Sequence, residues 1–244
     1  MLTRETVLNA LSVVKDPELD EPITDLGFVE SLEINDRDVS VRLRLPTSFC
    51  APNFAYLMAS DSMDALKGIP DVGKLEVLLD GNTDSDRINS GISQGLSFVE
   101  AYSNEAEEEL DELRRMFQVK AHLAAQDRAM MFLSREYAYV PEQMLDLKVG
   151  DLPEARVIDA LLNRRADIGL PNDSDQYVLV DDKNNRWDPN SLESQLRFAK
   201  ATRVSVDGNA HFCRGLLATR YPGADEDQAP REQDLLSGIT IFGR

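Results

Sequence analysis

Residues 28–45, Phe28-Val29-Glu30-Ser31-Leu32-Glu33-Ile34-Asn35-Asp36-Arg37-Asp38-Val39-Ser40-Val41-Arg42-Leu43-Arg44-Leu45, decide how the amino-terminal third of this chain folds. Apolar and polar residues alternate from Phe28 to Ile34 and again from Val39 to Leu45, which is the repeat of a strand with one buried face. Asn35-Asp36-Arg37-Asp38 is a polar turn between them, so the two runs are expected to pair as a hairpin. In the second run Val39, Val41, Leu43 and Leu45 share one face while Ser40, Arg42 and Arg44 share the other, which implies a sheet covered on one side only.

Upstream of the hairpin, residues 3–14 place Val7, Leu8, Leu11 and Val14 at helical spacing behind a Thr3/Thr6 cap, and Asp16-Pro17 stops that helix. Downstream, the loop Pro46-Thr47-Ser48-Phe49-Cys50-Ala51-Pro52 leads into a helix over about 53–67, carrying Phe54, Leu57, Met58, Met63 and Leu66 and ended by Gly68. Leu75 to Leu79 reads as a third strand. The order helix, hairpin, helix, strand specifies an α+β domain over residues 1–80.

Residues 81–97 open with Gly81-Asn82-Thr83-Asp84-Ser85 and have the composition of a linker. The second part, residues 98–244, is expected to be mainly helical with a short C-terminal strand pair. Helices are predicted over 98–136, with a break near Ser103-Asn104 and a stripe of Leu110, Leu113, Phe117, Ala121 and Ala124, and over 153–166 and 191–200. A strand is expected at 177–180, a strand pair at 203–206 and 211–219 around the Asp207-Gly208 turn, and an irregular acidic stretch at 222–230.

Composition sets the function classes. With 44 Asp+Glu against 26 Lys+Arg, the formal net charge of -18 repels phosphate backbones and anionic lipid, and the basic residues form no stripe, so neither nucleic acid nor membrane is an expected partner. The first residues lack a basic segment followed by an apolar stretch, and a cytoplasmic location is expected. Cys50 and Cys213 are the only thiols, which in a reducing compartment points to ligands or nucleophiles before a structural disulfide. There is no C-x-x-C, P-loop, G-x-G-x-x-G after a strand or Glu-x-x-His pair, so self-contained catalysis is not indicated.

Cys50 stands just before a helix whose first turn holds Pro52. There it faces unpaired backbone N–H groups and the positive end of the helix dipole, which favour a thiolate, while Thr47 or Ser48 could donate a hydrogen bond to it. Asp16 and Glu18 are candidates to line the same pocket. A second constellation, His211-Phe212-Cys213, would project imidazole and thiol from one face if these residues formed a strand, offering two ligands to a soft or borderline metal that Cys50 could join. The alternative for each is a packing role: Cys50 as a small core residue, and residues 211–213 as a half-buried strand. His122 reads as structural or surface.

The Asp16-Pro17-Glu18-Leu19 and Ile23-Thr24-Asp25-Leu26-Gly27-Phe28-Val29 segments, followed by a hairpin and a Thr-to-Cys loop that opens a helix, resemble the PaaD-like and SufT-like family of metal-sulfur cluster assembly proteins over residues 3–80. The resemblance implies a small α+β domain that helps mature iron-sulfur or related metalloproteins, with an acidic residue, a loop threonine and a loop cysteine around one pocket. Carried over by motif, these are Asp16, Thr47 and Cys50. The loop is one residue shorter than the family's usual Thr-to-Cys spacing, which leaves either Cys50 or the Ala51 position at the family's cysteine site. Its Pro-Thr-Ser-Phe-Cys-Ala-Pro-Asn-Phe form resembles that of longer members associated with bacterial soluble di-iron monooxygenases.

Together these features predict an accessory protein that handles iron or an iron-sulfur cluster transiently. Asp16, Thr47 and Cys50 would form the binding site, with Cys50, His211 and Cys213 as metal ligands. The expected partner is a client metalloprotein such as an oxygenase component, and a homodimer would double the Cys50 ligands. Two alternatives differ in class. A metal-free adaptor or folding helper for an oxygenase complex needs an apolar patch over residues 98–144, and a thiol-dependent enzyme needs His122 or His211 as a base near Cys50.

Overall fold

The structure is a computed structural model and describes residues 2–103, 105–106 and 108–222. The chain divides into two compact units, one made of Met1–Glu112 with Ala210–Arg244 and the other of Leu113–Asn209.

The first unit begins with α1 (Arg4–Leu11), whose Thr3 side chain accepts the Thr6 N–H as the sequence predicts, and which buries Val7 and Leu11. Two short strands follow, β1 (Lys15–Asp16) and β2 (Glu21–Pro22), paired antiparallel. The sequence shows only a helix stop here. The pairing depends on a tight turn in which Asp20 adopts φ 53° and donates its N–H to the Asp16 carbonyl at 2.9 Å, while Leu19 is buried beneath.

The predicted hairpin is present as β3 (Val29–Asn35) and β4 (Asp38–Arg44), antiparallel, and β5 (Leu75–Asp80) adds parallel to β4, giving the order β3-β4-β5. Val39, Val41 and Leu43 of β4 are buried, whereas Ser40 and Arg42 on the opposite face reach across to Glu76 and Asp80 of β5. A parallel neighbour needs a crossover, and α2 (Pro52–Lys67) supplies it, burying Ala55, Tyr56, Met58, Ala59 and Leu66 in the same core. Gly27, at φ 74°, makes the sharp entry to β3, and its carbonyl accepts Arg44 Nε at 3.0 Å; a side chain there would be strained.

Residues 85–94, within the stretch that composition marks as linker, fold as α3 (Ser85–Gln94). Ile88 and Ile92, one turn apart, enter the core, and the Asn89 amide bonds both the N–H and the carbonyl of Leu79. Polar composition conceals this helix because only one narrow stripe of it is apolar. α4 (Phe98–Ala101), capped reciprocally by Ser97 and Glu100, brings Phe98 and Tyr102 against Tyr56.

The second unit contains most of α5 (Asp111–Tyr137), then α6 (Pro141–Met144), α7 (Arg156–Asp167) and the first part of α8 (Leu192–Arg220). Arg165 is fully buried, with its guanidinium donating to Asn172 Oδ1 and to the carbonyls of Pro171, Tyr177 and Val178. Arg203 bonds Asp127 and Asp207, and Arg128 also reaches Asp207. Around residues 177–180 only isolated bridges form, Lys148 with Tyr177 and Val180 with Arg186.

The expected α+β class holds, with a sheet in the amino-terminal region and mostly helix after it, but the C-terminal strand pair is corrected to helix. α8 runs unbroken through Asp207-Gly208. Ala199, Val206, Ala210 and Leu217 are buried at spacings of seven, four and seven residues, so helical burial overrides the turn signal of the Asp-Gly pair. The expected acidic stretch 222–230 lies outside the described residues apart from Pro222. Among the described residues no helix is long and apolar enough to cross a membrane.

Candidate functional site

The loop between β4 and α2 places its threonine and cysteine together: Thr47 Oγ1 and Cys50 Sγ lie 3.2 Å apart, within hydrogen-bond reach. Ala51 is the N-cap residue of α2 and Pro52 its first residue, and no side chain caps the helix. The sulfur that meets Thr47 is that of Cys50, while Ala51 contributes backbone. The Cys50 carbonyl accepts Asn82 Nδ2 at 3.0 Å and the Ser48 carbonyl accepts the Thr83 N–H at 2.7 Å, so the turn after β5 clamps the loop. Asn82 is itself buried, with Oδ1 accepting the Asp84 N–H. Asn82 belongs to no functional motif, and its one signal in the sequence is the turn composition of Gly81-Asn82-Thr83-Asp84. Cys50 is half-buried, and Phe49 beside it is 77% exposed.

Asp16 lies at the end of β1 with Oδ1 accepting the N–H groups of Glu18 and Leu19 at 2.9 and 3.0 Å. Burial dominates those bonds and pushes its carboxyl up to about 6. It thus gains or loses its proton in mildly acidic solution, well above the range of an ordinary aspartate.

Cys213 comes to the first unit from the last turns of α8. It is half-buried, packed against the same core as Cys50 and flanked on its helix face by the buried Ala210, Arg214 and Leu217. Burial first, then the charge of Asp16 and the neighbouring Cys50 and Glu18, push its thiol up to about 11. Both cysteines and both acidic candidates therefore belong to one neighbourhood. The sequence already offers Asp16 and Glu18 for the Cys50 pocket and Cys213 as a co-ligand of Cys50, but the element that brings Cys213 there, α8, has no signal in local patterns.

His211 does not share the face of Cys213. Two residues apart on a helix they are separated by about 200° around the axis, and His211 is exposed. The single-face geometry expected of residues 211–213 required a strand and fails with it. Among the described residues, no group of three or more His, Cys, Asp or Glu side chains is arranged to hold a metal ion. His122 is buried in the second unit, with Gln126 Nε2 3.1 Å from its ring nitrogen, and burial, reinforced by Arg165, pushes it down to about 3.

Residues 4–78 match the family model described as iron-sulfur cluster assembly protein. Over 95 residues, 38% of this chain and 98% of the relative, the sequence is 33% identical to an uncharacterized protein of Methanocaldococcus jannaschii. Over 83 residues, 34% of this chain, it is 34% identical to an iron-sulfur cluster carrier protein of Synechocystis, of whose length the match spans 23%. No solved structure matches the chain.

Proposed function

The chain belongs, through its amino-terminal unit, to the iron-sulfur cluster assembly protein family, and from that membership we propose that it takes up iron or an iron-sulfur cluster at Cys50 and passes it to a client metalloprotein. The observation that carries this reading is the sulfur of the half-buried Cys50 within reach of Thr47 Oγ1 at the start of α2, which no side chain caps. Thr47 Oγ1 is placed to hydrogen-bond that sulfur when it is bound to iron. Release is a ligand exchange: a client thiolate forms a bond to iron as the bond to Cys50 breaks, the proton given up by the client thiol ends on the Cys50 sulfur, and no electron changes hands. Such exchange is favoured by few protein ligands, because a closed four-ligand set would retain the metal. Phe49 places an exposed apolar surface next to the sulfur, suited to contact with a protein client.

The client we propose is a component of an oxygenase system, on the likeness of the loop to that of longer relatives associated with di-iron monooxygenases. Anaerobic loading of the purified chain with ferrous iron and sulfide, followed by transfer to an apo-client, tests the reading. Wild-type protein is expected to acquire the visible absorption of a cluster and to activate the client, and Cys50→Ser to lose both. Equal loading and equal client activation by Cys50→Ser would overturn it, and client activation by a wild type that acquires no cluster would favour a metal-free adaptor.

A further inference from the structure

We propose that Cys213 is the second sulfur of the Cys50 site, so that cargo iron is gripped between two thiolates, one from the loop before α2 and one from α8. The inference rests on the reading of Cys50 as a cargo ligand and adds a residue outside the segment, 4–78, that defines the family.

The argument is one of placement. Arg214, next to Cys213, pairs with Glu21 and donates Nη1 to the Asp25 carbonyl at 3.0 Å. Glu21 is the cross-strand partner of Asp16, so this contact fixes α8 beside the β1–β2 turn that carries Asp16 and Glu18. Two turns on, Arg220 donates to the carbonyls of Leu45 and Gly81 at 3.2 and 2.6 Å. Leu45 opens the loop that ends in Cys50, and Gly81 precedes Asn82, whose amide holds the Cys50 carbonyl. The helix is thus fastened at one point to the Asp16 turn and at another to the frame of the Cys50 loop, and Cys213 is on the face turned to the core that both cysteines touch.

The electrostatics suit a cation. Asp16 and Glu18 both lie close enough to Cys213 for their charge to act on it, and carboxylates at that range attract a cation. Each bond from sulfur to iron releases one thiol proton to water, without oxidation or reduction. The remaining positions on iron fall to sulfide, water or the client, which keeps the set incomplete and the cargo transferable.

Cobalt(II) titration of the full chain under anaerobic conditions counts the sulfur ligands, because the intensity of the thiolate-to-cobalt charge-transfer band grows with the number of cobalt–sulfur bonds. Wild-type protein is expected to show twice the intensity of Cys50→Ser or Cys213→Ser, and the double variant none. Phenylarsine oxide provides a metal-independent measure of proximity: two thiols condense with it to form two arsenic–sulfur bonds and one water. One phenylarsenic group per chain is expected on the wild type, and none retained on either single variant, with circular dichroism unchanged among them. Full cobalt intensity in Cys213→Ser, or no stable arsenic adduct on the wild type, would overturn the two-sulfur site. Iron-sulfur loading that still depends on Cys50 would then leave the carrier reading standing, whereas loading independent of both cysteines would remove that reading as well.

Discussion

The guanidinium of Arg214 in α8 is paired with the carboxylate of Glu21 in β2, and the two side chains are 6% and 11% exposed. Neither charge has water to fall back on, so the pair fastens the C-terminal helix to the turn that bears Asp16. Removing one partner strands the other in a low-dielectric setting, at a cost of about 3–5 kcal/mol, whereas replacing both with apolar groups of similar volume is far less damaging. Arg214→Ala or Glu21→Ala should therefore lower stability by that amount in urea denaturation, and Arg214→Met with Glu21→Leu should restore most of it. A loss below about 1 kcal/mol for both single variants would show that α8 is not held by this pair.

Asp16 makes the fold less stable in order to be where it is. Its folded carboxyl titrates at about 6 against an ordinary 3.8, so between these values the folded chain keeps a proton that the unfolded chain has released. Stability from this group is complete below pH 3.8 and is lost as pH rises through 6, by at most about 3 kcal/mol. Asp16→Asn retains an oxygen to accept the Glu18 and Leu19 N–H groups and removes the ionisation. It should raise the thermal midpoint at pH 8 and leave it nearly unchanged at pH 4. A midpoint lowered at pH 8 would mean that the carboxylate is stabilised, not penalised, by its surroundings.

The parts of the molecule that sequence exposes are those whose order is local. Alternation in 28–45 specifies the hairpin, Thr3 caps α1, and Pro52 with Gly68 frames α2, because each signal acts within a few residues of the structure it makes. The loop from Thr47 to Cys50 is legible for the same reason. What stays hidden depends on distant burial: α3 exists because Ile88 and Ile92 find the core, and α8 exists because Ala199, Val206, Ala210 and Leu217 find theirs. Cys213 enters the Cys50 neighbourhood only through that second helix, so its environment could not be read from Phe212 and His211 beside it.

Gly208 offers a direct check on α8. It lies in the helix interior without a left-handed φ, and a Cβ built on it meets nothing within 4 Å; the same holds for Gly215. Alanine at either position gains helix propensity and lowers the entropy of the unfolded chain, for an expected gain of about 0.5–1 kcal/mol. The same Gly208→Ala change at a tight hairpin turn, as the Asp207-Gly208 pair suggests in isolation, would be destabilising. Denaturation midpoints of the two variants decide between helix and turn by sign alone.

The thiol of Cys213 should be slow to react unless its surroundings change. In Cys50→Ser it is the only sulfhydryl in the chain, so its alkylation by iodoacetamide is read without deconvolution. A thiol held at about 11 instead of the ordinary 9.0 has on the order of a hundredfold less thiolate at pH 8, and the rate should fall by that factor relative to the same protein unfolded in urea. After burial, the first cause of the displacement is the charge of Asp16. Adding Asp16→Asn should accelerate alkylation several-fold at pH 8 and have little effect at pH 4.5, where Asp16 is already protonated. A Cys213 that reacts as fast folded as unfolded, with no response to Asp16→Asn, would place its sulfur in open water and away from the carboxylate.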